Sequence, residues 1–102
     1  MQPRTTTNKG PEIFDPRGEV SVKPRSPAKR VADLRGLRVA ILDNSKWNAG
    51  ALLRHIGTRL ERDYSPAAVT YFCKESFSRV AAPEILAEIA ASSDLAVTAI
   101  GD

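Results

Sequence analysis

Leu37-Arg38-Val39-Ala40-Ile41-Leu42, closed by Asp43-Asn44-Ser45-Lys46, is the stretch on which the fold turns. Short and mostly apolar, it suits a strand buried on both faces, and the polar run after it ends the strand. Downstream, Ala49, Leu52, Leu53, Ile56 and Leu60 recur at helical spacing, with Arg54, His55, Arg59 and Arg62 on other faces. That pattern predicts an amphipathic helix over about Asn48–Asp63, with Asn48 as its N-cap and Ser65-Pro66 as its breaker. Ala68-Val69-Thr70-Tyr71-Phe72-Cys73 has the β-branched and aromatic content of a second strand. Pro83 suits a first helical turn, where its missing amide costs little, and Leu86, Ile89 and Ala90 mark the inner face of a helix ending near Ser93. Leu95-Ala96-Val97-Thr98-Ala99-Ile100 is a third apolar strand. Strand, helix, strand, helix, strand implies an α/β fold, a small three-layer parallel sheet with right-handed crossovers.

Upstream the composition changes. Five of the seven prolines (3, 11, 16, 24, 27) fall within the first 30 residues, where fixed backbone angles and absent donors oppose a helix or a central strand. Residues 1–33 therefore read as a Pro-rich basic N-terminal arm, with residues 34–102 as the α/β domain. Ile13-Phe14 followed by Asp15-Pro16-Arg17-Gly18 reads as an apolar anchor and a turn, so the arm is expected to dock in part through Ile13–Gly18. Residues 1–38 hold nine Lys/Arg against four Asp/Glu, and residues 39–102 hold six against eight. These charges are diluted by Pro, Gly and Thr, which disfavours nucleic-acid binding.

The 102 residues suffice for one modest core, and the 42% apolar and 26% charged fractions are those of a globular chain. With no apolar run near the length of a membrane span and no hydrophobic leader, no membrane partner is expected and the default compartment is the cytoplasm. A single cysteine, Cys73, excludes an intramolecular disulfide and a four-cysteine zinc site.

In an open parallel sheet ligands gather beyond the carboxyl ends of the strands, which here carry Asp43-Asn44-Ser45-Lys46, Cys73-Lys74 and Gly101-Asp102. Asp43 and Asp102 can orient or deprotonate a partner, and Lys46 and Lys74 can hold an anion. The alternatives are capping or turn roles for the acids and Asn44, and solvated lysines. Cys73 is either a reactive thiolate or a buried, inert side chain. Trp47 is a lid over the site or an anchor packed on the helix. One glycine in the loop after the first strand disfavours a nucleotide cofactor, His55 has no metal-binding companion at helical offset, and Ser76 and Ser78 lack a nearby base.

The chain resembles the UGSC family of (seleno)proteins, named for a motif of selenocysteine or cysteine followed by Gly-Ser-Cys. Ile13-Phe14-Asp15-Pro16-Arg17-Gly18 is similar to that family's Asp-Pro-x-Gly turn, and Leu37 to Ala49 to its strand and Asp-Asn-x-Lys-x-Asn-Ala loop. Lys74, Ser76, Ser78 and Ala82-Pro83 resemble its second loop. Asp94 to Asp102 resembles the strand leading into the motif. Trp47 and Glu75 stand where the family has proline, and Val80-Ala81 disturbs the run before Ala82-Pro83. The resemblance implies thiol or selenol redox chemistry, an unidentified thiol or small-molecule substrate and a protein redox partner. From their position alone, Asp43, Asn44, Lys46, Asn48, Lys74, Gly101 and Asp102 are the candidate site-lining residues. The motif itself is absent from the 102 residues, so no catalytic residue is expected within them, no cofactor is called for, and selenocysteine is expected beyond Asp102 if a UGA codon is recoded there. On this expectation the domain is incomplete at its C-terminus, and the chain is the inactive N-terminal part of a redox protein. The alternatives are a non-enzymatic α/β interaction module whose basic arm meets a protein or nucleic-acid partner, and a truncated product without a stable fold.

Overall fold

In the computed structural model of the chain, which describes residues 4–6 as backbone and residues 10–101 in full, the fold-deciding stretch is the central strand of a three-stranded parallel sheet. In chain order the elements are β1 (Arg4–Thr6), β2 (Ile13–Asp15), β3 (Arg38–Asp43), α1 (Ala49–Tyr64), β4 (Ala68–Cys73), α2 (Pro83–Ser92) and β5 (Leu95–Ala99). The strand order is β4-β3-β5, with Asp43 in register with Cys73 on one side and Ala99 on the other. The chain moves one way from β3 to β4, then back past β3 to β5. Right-handed crossovers in opposite directions put α1 and α2 on opposite faces, which is the three-layer α/β arrangement expected.

β3 sits at the centre because it alone has neighbours on both edges and apolar side chains for both faces. Val39, Ala40 and Ile41 are fully buried, and Leu53 of α1 closes over Val39 and Ile41. Ile56, Leu60, Val69, Leu95, Val97 and Ala99 pack round that cluster. Burying each large aliphatic side chain stabilises the fold by about 1.5–3 kcal/mol, so this small cluster supplies much of the driving force.

α1 begins where expected, for a different reason. Asn48 occupies the cap position with φ 65° and ψ 0°, and its side chain makes no capping hydrogen bond. Asparagine tolerates this left-handed conformation better than most residues, so its contribution is to the backbone turn. At the far end Ser65 is also left-handed, with φ 50°, and Pro66 prevents another turn. The Ala67 amide then donates to the Leu37 carbonyl at 2.8 Å, starting β4 beside β3.

α2 starts at Pro83, but its inward residues are Ile85 and Ile89, both half-buried, whereas Leu86 is 51% exposed and Ala90 is exposed. The inner face expected from Leu86, Ile89 and Ala90 is thus rotated. The helix is apolar on two adjacent stripes, and periodicity alone does not choose between them.

β1 and β2 form an antiparallel ribbon, with Arg4 paired to Asp15 and Thr6 to Ile13, where the sequence suggested no strand. Ile13 and Phe14 stay 61% and 70% exposed. Asp15 accepts hydrogen bonds from the Arg17 amide at 3.0 Å and from its guanidinium at 2.7 Å, closing the turn through Pro16. Residues 16–33 carry no helix or strand and are exposed throughout. Among the described residues no helix is long and apolar enough to cross a membrane.

Two contacts make this fold testable. Gly57, buried in mid-helix, faces β3 and β4: a Cβ there would overlap the Tyr71 hydroxyl, lie 2.9 Å from Tyr71 Cζ and 3.1 Å from Ile41 Cδ1. Gly57→Ala therefore destabilises by roughly 1–3 kcal/mol despite alanine's better helix propensity, measurable by urea denaturation. At the opposite end of the sheet the Arg38 amide donates to Asp94 Oδ2 at 2.8 Å, the Asp94 amide donates to the Arg38 carbonyl at 2.8 Å, and Arg38 Nη2 meets Asp94 Oδ1 at 3.0 Å. The Arg38 side chain, and after it the Arg38 amide, hold the Asp94 carboxyl below the usual aspartate range. A carboxyl depressed in the folded state contributes stability above its unfolded value, about 3.9, which is lost as the pH falls below it. The urea midpoint accordingly drops as the pH falls below about 4, and Asp94→Asn lowers the neutral-pH midpoint and flattens that drop.

Candidate functional site

The carboxyl ends of β3, β4 and β5 lie side by side, and hydrogen bonds from the β3–α1 loop tie them together. The Asn44 amide donates to the Ala99 carbonyl at 3.1 Å, and its side-chain Nδ2 donates to the Ile100 carbonyl at 2.6 Å. Asn44 Oδ1 in turn accepts from the Lys46 amide at 3.3 Å. One asparagine thus fixes both the end of β5 and the start of its own loop. On the β4 side the Lys74 amide donates to the Asp43 carbonyl at 2.9 Å, and the Ser45 hydroxyl donates to the Lys74 carbonyl.

Asp43, half-buried, accepts the Ser45 amide on Oδ1 at 2.7 Å. Its Oδ2 faces Gly50 in the first turn of α1, where a Cβ would stand 3.0 Å away, so glycine leaves the carboxylate its room. Ser45 and Asn48 are both left-handed, with φ 69° and 65°, and between them the loop turns outward and raises Trp47. Trp47 is 90% exposed, which removes the expectation of an anchor packed on the helix. Cys73 is exposed, correcting the buried alternative, and its Sγ lies 3.5 Å from Ser45 Oγ and 3.4 Å from the Lys74 carbonyl oxygen.

Of the residues expected to line a site, Asp43, Asn44, Lys46 and Lys74 come together at this edge, Asn48 shapes the loop from an exposed position, and Gly101 follows exposed beyond the Asn44 tether. Asp102 lies outside the described residues. Ser45 was in the loop that drew attention but not among the candidate residues; it bridges β3 to β4, a role visible only once the strands are in register. Arg54 and Tyr71 were also missed. Arg54 lies over the Tyr71 ring at 4.9 Å, and both line a cavity of about 190 Å³ with Asp43, Gly50, Leu53, Phe72 and Cys73. A second, open groove of about 370 Å³ at the β5 end is lined by Lys46, Trp47, Phe77 and Ile100. Ser76 and Ser78 bond each other at 2.8 Å, and among the described residues no group of three His, Cys, Asp or Glu side chains is placed to hold a metal ion.

These features define a parallel α/β domain with its polar loops gathered at the carboxyl edge of the sheet, next to the end of the last strand. A model of the UGSC family matches residues 12–102, most of the chain, and the protein belongs to that family. Searches of curated proteins and of solved structures find no match.

The Asn44 tether is open to test. Asn44→Ala removes the donor to the Ile100 carbonyl and lowers stability by about 1 kcal/mol, with faster amide exchange confined to the paired ends of β3 and β5. Asn44→Asp, which keeps the size but not the donor, has the same local effect.

Proposed function

We propose that this chain is the scaffold of a thiol or selenol redox protein whose nucleophile belongs to the family's Sec/Cys-Gly-Ser-Cys motif, following directly on Asp102. Family membership supports the reading, and the observation that carries it is the pair of hydrogen bonds from Asn44 to Ala99 and Ile100. They hold the exit of β5 against Asp43 at the end of β3 and the loop carrying Lys46, so a nucleophile beyond Gly101 emerges among polar groups at a sheet edge. There a selenolate or thiolate attacks one sulfur of a disulfide substrate and expels the other as a thiolate. The motif's second cysteine then attacks the mixed bond, expels the remaining thiolate and closes an internal selenenylsulfide or disulfide. Two electrons pass to the substrate, and a reducing protein partner reopens the bond. Asp43, Asn44, Lys46, Asn48, Lys74, Gly101 and Asp102 serve as surroundings of the nucleophile.

The test is the nucleotide sequence after the Asp102 codon, together with the selenium content and intact mass of the protein from its native host. An in-frame UGA or cysteine codon followed by Gly-Ser-Cys codons, with the corresponding mass, is the expected result. A UAA or UAG codon and no selenium removes the redox reading. The second reading, a non-enzymatic interaction module, draws on residues 16–33, all exposed and carrying five Lys/Arg against two acids. Partner capture that is lost on deleting those residues favours it.

A further inference from the structure

The cavity of about 190 Å³ between α1 and the carboxyl end of β4 holds two opposite charges that do not meet. Asp43 lines it from the end of β3 and Arg54 from α1, and among the described residues no ion pair joins them. Each is held by something else. The Arg54 guanidinium lies over the Tyr71 ring, 4.9 Å from its centroid. A contact made through the face of the group fixes its position and leaves its N–H donors, which lie in its plane, unused. Asp43 Oδ1 accepts the Ser45 amide at 2.7 Å, while Oδ2 faces Gly50, where a Cβ would stand only 3.0 Å from it. The glycine thus keeps one carboxylate oxygen accessible.

This arrangement selects its occupant by charge. A simple anion drawn to Arg54 meets Asp43, a simple cation drawn to Asp43 meets Arg54, and an apolar molecule takes water from both without replacing it. A molecule carrying one positive and one negative group satisfies both. Gly50 and Arg54 are one helical turn apart, a rise of about 6 Å, which sets the two charges near each other. An α-amino acid carries its ammonium and carboxylate on one carbon, so with a hydrogen bond of about 2.8 Å at each end it reaches from one to the other. The volume lies below the range of drug-sized sites, about 300–1,000 Å³, and above the cavity of about 150 Å³ that admits benzene. That leaves room for a small side chain against Leu53 and Tyr71, and none for a peptide or a nucleotide. We propose that this cavity binds a small free α-amino acid, its carboxylate on Arg54 and its ammonium on Asp43. The site shares Asp43 with the surroundings of the proposed nucleophile but does not depend on the redox reading.

Calorimetric titration with L-alanine is expected to show saturable binding. L-alaninamide, without the carboxylate, and propionate, without the ammonium, each bind about tenfold or more weakly. Arg54→Gln brings L-alanine down to the level of the amide, and Asp43→Asn, which keeps an acceptor for the Ser45 amide, brings it down to the level of propionate. Cys73, the single cysteine of the chain, lines the same cavity, so its reaction with the neutral disulfide dithiodipyridine reports occupancy, and saturating L-alanine slows that reaction several-fold. No saturable binding, equal affinity for the three ligands, or binding that leaves the Cys73 rate unchanged overturns the proposal. None of these readouts involves turnover. L-alanine binding in a protein that proves to lack the motif removes the redox reading alone, and a functional motif with no binding in the cavity removes only the site.

Discussion

Everything in this domain hangs on the burial of β3. Val39 and Ile41 are covered by Leu53 on one face, Ala40 is sealed on the other, and both edges are paired, so the strand has no route to solvent except through its ends. Its polar residues are consequently pushed to those ends: Arg38 to the amino end, where it clasps Asp94, and Asp43 and Asn44 to the carboxyl end, where they organise the loops. The candidate site is the polar termination of the most buried element in the chain. Stability and site geometry therefore share residues, and a change in either propagates to the other.

The α/β architecture was legible because hydrophobic periodicity reports burial, and burial is what separates these elements. The strand Ala68–Cys73 and the Pro83 start of the second helix lie where the residue pattern puts them, and the first helix, the central strand and the last strand differ by a residue at their ends. What periodicity does not encode is which of two apolar stripes turns inward, and α2 shows the consequence: Ile85 and Ile89 are half-buried, whereas Leu86 and Ala90, expected on the inner face, are exposed. The β1–β2 ribbon was illegible for a related reason. Its strands have three residues each, too few for an alternating pattern.

The site was legible as a place more than as a mechanism. The rule that loops at strand carboxyl ends converge pointed to Asp43, Asn44, Lys46 and Lys74, and the register brings them together. The bonds that lock them run largely to backbone groups, from Asn44 to the Ile100 carbonyl and from Ser45 to the Lys74 carbonyl, and a carbonyl has no letter in a sequence. The left-handed turns at Ser45 and Asn48 were hidden for the same reason, since neither residue is glycine. Arg54 and Tyr71 belong to elements read only for their apolar faces, yet their stacking walls one side of a cavity.

The strand order has a further consequence. With β3 in the middle, β4 and β5 are both border strands, and their sequences, Ala-Val-Thr-Tyr-Phe-Cys and Leu-Ala-Val-Thr-Ala, contain no charge and no proline. Lysines, prolines and bulges are the devices by which proteins discourage a foreign strand from joining a sheet, and these two borders have no lysine or proline within the strand. The same apolar character that lets three strands cohere without much helix to cover them makes the sheet a template with two growing fronts.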